Sequence, residues 1–273
     1  GLPRGARRGM LEPAIKEDIL SDTILRDDRG GVTWLTVNRP DKLNVLNSAL
    51  MVELAQILRT LTDDLDLRAV VITGAGDRSF VGGADIGEMA ALDPTSARAF
   101  ITRLHGVMAA IRDLPVPVIA RINGYCLGGG MELAAACDFR IAADNAKFGM
   151  PEVRVGLPSV IEAVLLPHLV GWGRTRWLLM TGEMIDAATA HQWGFVEFLT
   201  KPEDLDAVLD RSVRAIAESG PHAIRTQKML IRSWESLAPA DAIAQTIPVF
   251  GDSFETGEPQ AMLGDFLARK AKG

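Results

Sequence analysis

The segment Ile122-Asn123-Gly124-Tyr125-Cys126-Leu127-Gly128-Gly129-Gly130-Met131-Glu132-Leu133 carries the strongest structural signal in this chain. It grows out of the run Val116 to Ile122, apolar except for Arg121, which reads as a buried strand, although Pro117 limits how that strand starts. Asn123-Gly124 turns the chain. Three glycines then open a helical run from Met131 to Cys137. Glycines at that point expose backbone N–H groups with no side chain in the way. The first N–H groups of a helix lack partners inside it, and the macrodipole gathers partial positive charge there. The segment is a candidate site for a developing oxyanion, where one well-placed donor contributes about 2.7–4 kcal/mol. Glu132 sits in the first helical turn, and the helix N-terminus is expected to favour its ionised form.

A second glycine-rich segment lies upstream. Ala69-Val70-Val71-Ile72-Thr73 reads as another buried strand, and it runs through Gly74-Ala75-Gly76 into Phe80-Val81-Gly82-Gly83-Ala84-Asp85-Ile86. That loop can supply the second donor an oxyanion site needs. Downstream, Phe139 to Ala142 reads as a strand, followed by Lys147-Phe148-Gly149-Met150-Pro151-Glu152. A glutamate among Phe148, Met150, Val153 and Val155 is out of place on a solvated face. Two carboxylates beside one oxyanion site let one take a proton from water while the other delivers a proton to carbon.

The rest of the chain supplies the frame. Thr23 to Asn38 reads as a hairpin turning at Asp28-Arg29-Gly30-Gly31. Ser48 is the expected N-cap of a helix running to about Leu61, and Ser96 to Arg112 is a second helix. From Pro158 onward the pattern is helical except for one expected strand, Val196 to Leu199. Alternating strands and helices argue an α/β architecture with parallel pairing and right-handed crossovers. The expected division is an N-terminal tail over 1–20, a core over 21–201 and a helical region over 202–273. No internal sequence repeat is visible.

Composition narrows the function. With 273 residues, 48% of them hydrophobic, the chain can bury a full core. Its formal charge of −6 disfavours nucleic-acid binding, which runs on basic surfaces. No apolar run reaches the roughly 18 residues that span a bilayer. The two cysteines, Cys126 and Cys137, read as buried free thiols, which fits a reducing compartment such as the cytoplasm or, alternatively, the mitochondrial matrix. Gly1 to Gly9 carries Arg4, Arg7 and Arg8 and no acid, and it contributes nothing to the fold argument. Phosphate-binding loops, a complete G-x-G-x-x-G and a G-x-S-x-G elbow are absent. The histidines, His105, His168, His191 and His222, are scattered without metal-ligand spacing.

Taken in order, five segments carry a family resemblance: Asn38-Arg39-Pro40-Asp41-Lys42-Leu43-Asn44, Ser79 to Ile86, Ile122 to Leu133, Cys137-Asp138, and Phe148 to Glu152. The chain resembles the enoyl-CoA hydratase/isomerase (crotonase) superfamily over about Thr23 to Lys270. The resemblance implies a spiral of ββα turns followed by helices that build a homotrimer or a dimer of trimers. It implies an oxyanion hole made by the Ala84 and Gly129 N–H groups. Glu132 and Glu152 fall on the positions of the two catalytic glutamates, Glu132 as the base on water and Glu152 as the proton donor to the α-carbon. Lys42, Leu43, Gly83, Asp85, Ile86 and Gly128 would border the substrate, an acyl-coenzyme A thioester, with no separate cofactor and no metal. Hydration of a 2-enoyl-CoA is the activity this implies. A Δ3–Δ2 enoyl-CoA isomerase is the alternative within the family, and a non-catalytic acyl-CoA- or RNA-binding scaffold the alternative outside it. One stretch departs from the family pattern: Leu157-Pro158-Ser159-Val160-Ile161-Glu162-Ala163-Val164 lacks the usual glycines and is one residue shorter. Here Glu162 either points into the acyl pocket or closes a capping box with Ser159, and the S-x-x-E spacing before an apolar run fits the box.

Overall fold

The computed structural model describes residues 22–271. The expectations placed on Gly1 to Gly9 and on the 1–20 tail lie outside them. Strands β1 (Ile24–Arg29) and β2 (Val32–Val37) form the expected antiparallel hairpin. Helix α1 (Ser48–Thr60) follows, and its cap is Asn47, not Ser48: the Asn47 side chain accepts from the Leu50 N–H at 3.0 Å. Asn47, one residue earlier, takes the role because its backbone is extended while Ser48 already lies in the helix.

From there the chain advances in a repeated step, one strand in each of two sheets and then a helical segment. Strands β3 (Ala69–Gly74) and β4 (Ser79–Val81) lead to α2 (Ile86–Met89) and α3 (Pro94–Asp113). Strands β5 (Val118–Ile122) and β6 (Tyr125–Leu127) lead to α4 (Gly129–Ala136). Strands β7 (Phe139–Ala143) and β8 (Lys147–Gly149) lead to short 3₁₀ segments at Pro151–Val155 and Ile161–Leu165. Helices α5 (Leu166–Val170) and α6 (Trp172–Thr181), strand β9 (Met184–Asp186), helix α7 (Ala187–Trp193) and strand β10 (Phe198–Thr200) complete this part. The first sheet has the order β1-β2-β3-β5-β7-β10, parallel from β2 onward; the second has the order β4-β6-β8-β9. This is the α/β spiral of ββα turns that the resemblance implies.

Several expectations shift. The second-sheet strands β4, β6, β8 and β9 read as loop or helix in the sequence, because each is only three residues long and too short to show an alternating pattern. The strand expected at Val196 to Leu199 pairs two residues later, at Phe198–Thr200 beside β7. Helix α3 begins at Pro94, not Ser96: Asp93 and Ser96 close a capping box.

Beyond β10 the elements are helical: α8 (Leu205–Ala217), α9 (Pro221–Trp234), α10 (Pro239–Ser253) and α11 (Glu258–Lys270). Helix α8 is not detached from the core. Its Leu205 and Leu209 cover the outer face of the first sheet on Val32, Val71, Ile119 and Ile141. The inner face packs against α1, α3 and α4 through a larger cluster that includes Leu54, Ile72, Phe80, Leu104, Ile122 and Met131.

Arg140 joins these layers. Its side chain is 2% exposed, and it donates to the carbonyls of Phe195, Ala134 and Cys137 and pairs with Glu197. A buried guanidinium is stable only when its donors are met. Arg140→Met would remove the side-chain donors to three carbonyls, while Glu197 keeps the backbone N–H of residue 140. The expected loss is about 3–5 kcal/mol of unfolding free energy, read from urea denaturation.

Candidate active site

Helix α4 starts directly against strand β4. A Cβ on Gly130 would overlap the Val81 carbonyl, so only glycine allows this approach. One residue earlier, a Cβ on Gly129 would stand 3.8 Å from the Ala84 nitrogen. The two glycine-rich segments separated by more than 40 residues of sequence therefore meet.

The Ala84 N–H lies outside the bridge that holds its loop, for a backbone reason. Leu46 and Ala84 form a parallel bridge in which the Leu46 N–H donates to Gly83 O and the Asp85 N–H donates to Leu46 O. In such a bridge the N–H of Ala84 itself faces away from Leu46. The loop beneath is braced by Asn44, a fully buried residue whose amide donates to Ala75 O at 3.0 Å and Ser79 O at 2.8 Å. Asn44 also accepts from the Arg39 N–H, which accounts for the Arg39–Asn44 segment seen in the sequence.

Both carboxylates reach the same cavity, whose volume is about 580 Å³. Its walls include Gly83, Ala84, Ile86, Gly128, Gly129, Glu132 and Glu152. Its apolar side comes from Met89, Leu92, Phe100, Ile101, Leu104 and Val160, residues that only the fold assembles. Lys42, Leu43 and Asp85 are not in this wall. Lys42 is exposed, Leu43 O accepts from the Gly82 N–H, and Asp85 caps α2 while pairing with Arg39 at 3.1 Å.

Glu132 is 3% exposed, and its Oε1 accepts from the Ala163 N–H at 3.1 Å. The sequence led us to expect an ionised group. Burial instead pushes its carboxyl up to about 8, aided by the nearby charges of Glu152 and Glu162 and opposed by the Ala163 hydrogen bond. Desolvation outweighs the helix terminus here. Glu152 sits in the 3₁₀ segment Pro151–Val155, where its Oε2 accepts from the Ser159 hydroxyl at 2.8 Å. A Cβ on Gly128 would lie 2.5 Å from Glu152 Oε1, so glycine there, at φ +51°, also makes room for the carboxylate.

The Ser159–Glu162 capping box does not form. The 3₁₀ segment Ile161–Leu165 has no side-chain cap; Ser159 turns to Glu152, and Glu162 turns inward to His105, Nδ1 to Oε1 2.8 Å. Ser159, His105 and the Ala163 N–H are thus site neighbours that spacing alone did not reveal. Both cysteines are buried and free. Among the described residues no cluster of His, Cys, Asp or Glu could hold a metal, and no helix is long and apolar enough to cross a membrane.

The model of the enoyl-CoA hydratase/isomerase family matches residues 27–271, and the chain belongs to that family. It is 34% identical over 250 residues to the short-chain-enoyl-CoA hydratase of Clostridium acetobutylicum, covering 91% of this chain and 96% of the relative. It is 36% identical to the crotonyl-CoA hydratase of Syntrophomonas wolfei with the same coverage. Among solved structures, an enoyl-CoA hydratase from Bacillus anthracis superposes with a TM-score of 0.88 at 32% identity, over 90% of this chain and 96% of that one.

The raised carboxyl of Glu132 has a consequence for stability. Between its ordinary value of 4.5 and about 8, the folded chain holds a proton that the unfolded chain has lost. Stability therefore falls as pH rises through that window. Glu132→Gln should flatten the decline, by at most about 1.4 kcal/mol per pH unit for one proton. Urea denaturation from pH 5 to 8.5 measures both slopes.

Proposed function

We propose that this chain hydrates a 2-enoyl-CoA thioester to the 3-hydroxyacyl-CoA. The observation that carries the reading is the convergence of Glu132, Glu152, Ala84 and Gly129 on one cavity with an apolar side. The family relatives named above support it, all three of them hydratases by name.

The thioester oxygen would lie between the Ala84 and Gly129 N–H groups. Negative charge grows on that oxygen as the enolate forms, so donors fixed in advance lower the barrier without reorganising. Water adds to Cβ. Glu132 takes a proton from the water, and Glu152 gives one to Cα. The scheme needs one protonated and one ionised carboxyl together. Burial raises the Glu132 carboxyl to about 8, so one proton is held in the site at neutral pH. The resting proton favours Glu132 by burial, so the reactive arrangement has it moved to Glu152. The apolar wall takes the acyl chain. Gly83, Ile86 and Gly128 border the thioester end, and Lys42, Leu43 and Asp85 lie outside the cavity wall, where coenzyme A would extend.

We also infer a homotrimer or a dimer of trimers. It is supported by large apolar side chains left exposed on the last two helices, among them Ile247, Phe250, Phe266 and Leu267. Sedimentation at micromolar concentration should give a mass of three or six chains; a monomer overturns the inference.

Glu132→Gln and Glu152→Gln should each lower kcat by about 10²–10⁴ and leave KM within a few fold, the loss typical of a general acid or base. The assay follows the conjugated-thioester absorbance on a panel of 2-enoyl-CoA esters from short to long and branched. Near-native turnover in either variant removes that residue from the chemistry. Product formed in ¹⁸O-water should carry the label; movement of a double bond without label would assign the isomerase reaction instead.

A further inference from the structure

The segment that departs from the family pattern touches both carboxylates at once. Ser159 at its start donates to Glu152, and the Ala163 N–H at its end donates to Glu132. Between them Ile161 has φ +41°, a left-handed conformation that a β-branched residue rarely adopts. That turn sends the next side chain, Glu162, into the protein, where it is 6% exposed. Its Oε1 meets His105 Nδ1 at 2.8 Å, and its Oε2 is buried with no hydrogen-bond partner among the described residues.

Strain and a half-satisfied buried carboxylate both cost stability. Neither is explained by local structure, because the capping role that the spacing suggests is not taken. We propose that Glu162, anchored by the exposed His105, is the positioning residue for Glu132: it fixes where that carboxylate sits and holds a proton in the site. This rests on the reading that Glu132 and Glu152 move the protons of hydration.

The electrostatics agree. A negative charge close to a second carboxylate disfavours its ionisation, and the Glu162 charge acts on Glu132 in that sense. Two arginines share the cavity wall with Glu132, Arg98 from α3 and Arg154, which pairs with Glu183, from the segment after β8. Glu152 faces Glu132 from the segment after β8, and Glu162 from the segment before α5. From α3, His105 reaches Glu162. From β7, Arg140 bonds the carbonyls of Ala134 and Cys137 at the far end of α4. None of these is a cation placed on Glu132 itself. The single donor on its Oε1 is a backbone N–H whose position the Ile161–Glu162 turn sets.

The test uses the full chain with Glu162→Gln and His105→Leu. The first readout needs no substrate: unfolding free energy against pH, whose decline ends where Glu132 titrates. Removing the Glu162 charge should move that end point down by about one pH unit. His105→Leu should move it the same way, because the Glu162 carboxylate then loses the contact that fixes it beside Glu132. The second readout is hydration of crotonyl-CoA against pH. Glu162→Gln should lower kcat about tenfold, less than the loss of a general base, with KM within threefold and the alkaline limb shifted in step. Wild-type pH profiles in both variants overturn the proposal, as does a loss of activity with an unmoved profile, which marks a purely structural residue. If Glu162→Gln does not fold, His105→Leu, on an exposed side chain, decides alone. A wild-type chain that hydrates none of the enoyl-CoA panel sinks the hydratase reading, while the substrate-free profiles still decide the pairing of Glu162 with Glu132.

Discussion

Helix α4 meets strand β4 with no side chain between them, and the site follows from that contact. Gly130 lies where any Cβ would strike the Val81 carbonyl. The close approach carries the first turn of α4 to the Gly82–Ala84 loop, sets Gly129 beside the Ala84 nitrogen and drives Glu132 into the core. A helix held a methyl group further out would leave the two N–H groups apart and Glu132 wetter. Packing at one glycine thus controls donor geometry and carboxylate chemistry together.

Burial at this contact changes what Glu132 is. In its own helix the residue occupies a position that favours a charge. Leu104, Gly129 and Val160 wall the same cavity and leave little water to solvate one, and two other carboxylates stand nearby. Desolvation is the larger effect, so the proton stays. The two carboxylates of one cavity thus differ in burial, and the difference comes from neighbours distant in sequence.

The segment from Ser159 to Ala163 shows how a short local pattern can mislead. Ser159 and Glu162 have the spacing of a capping box, and the apolar run that follows strengthens that reading. A cap contributes only about 0.5–2 kcal/mol, which other partners can outcompete. Here the partners are Glu152 for Ser159 and His105 for Glu162, seven and fifty-seven residues away. Helix α8 is a milder case: the helical pattern of that region was visible, but the face of the sheet that α8 covers was not.

The amino-acid sequence by itself determined the glycine-rich turns, the buried strands β3, β5 and β7, the β1–β2 hairpin and the two carboxylates, because each has a local signal: apolar continuity, a glycine cluster, or an acid in an apolar run. It did not reveal the second sheet. Strands β4, β6, β8 and β9 have three residues each, too few for a period to appear, and they exist because the first sheet aligns them. For the same reason the repeat of the spiral is invisible as a sequence repeat: the chain repeats its path and not its residues. Only the tertiary structure decided that Asn44 braces the loop leading to Ala84, that Glu162 turns inward to His105, and that burial raises the Glu132 carboxyl. Those outcomes depend on hydrogen-bond partners and water exclusion supplied by residues far along the chain, which no window of sequence contains.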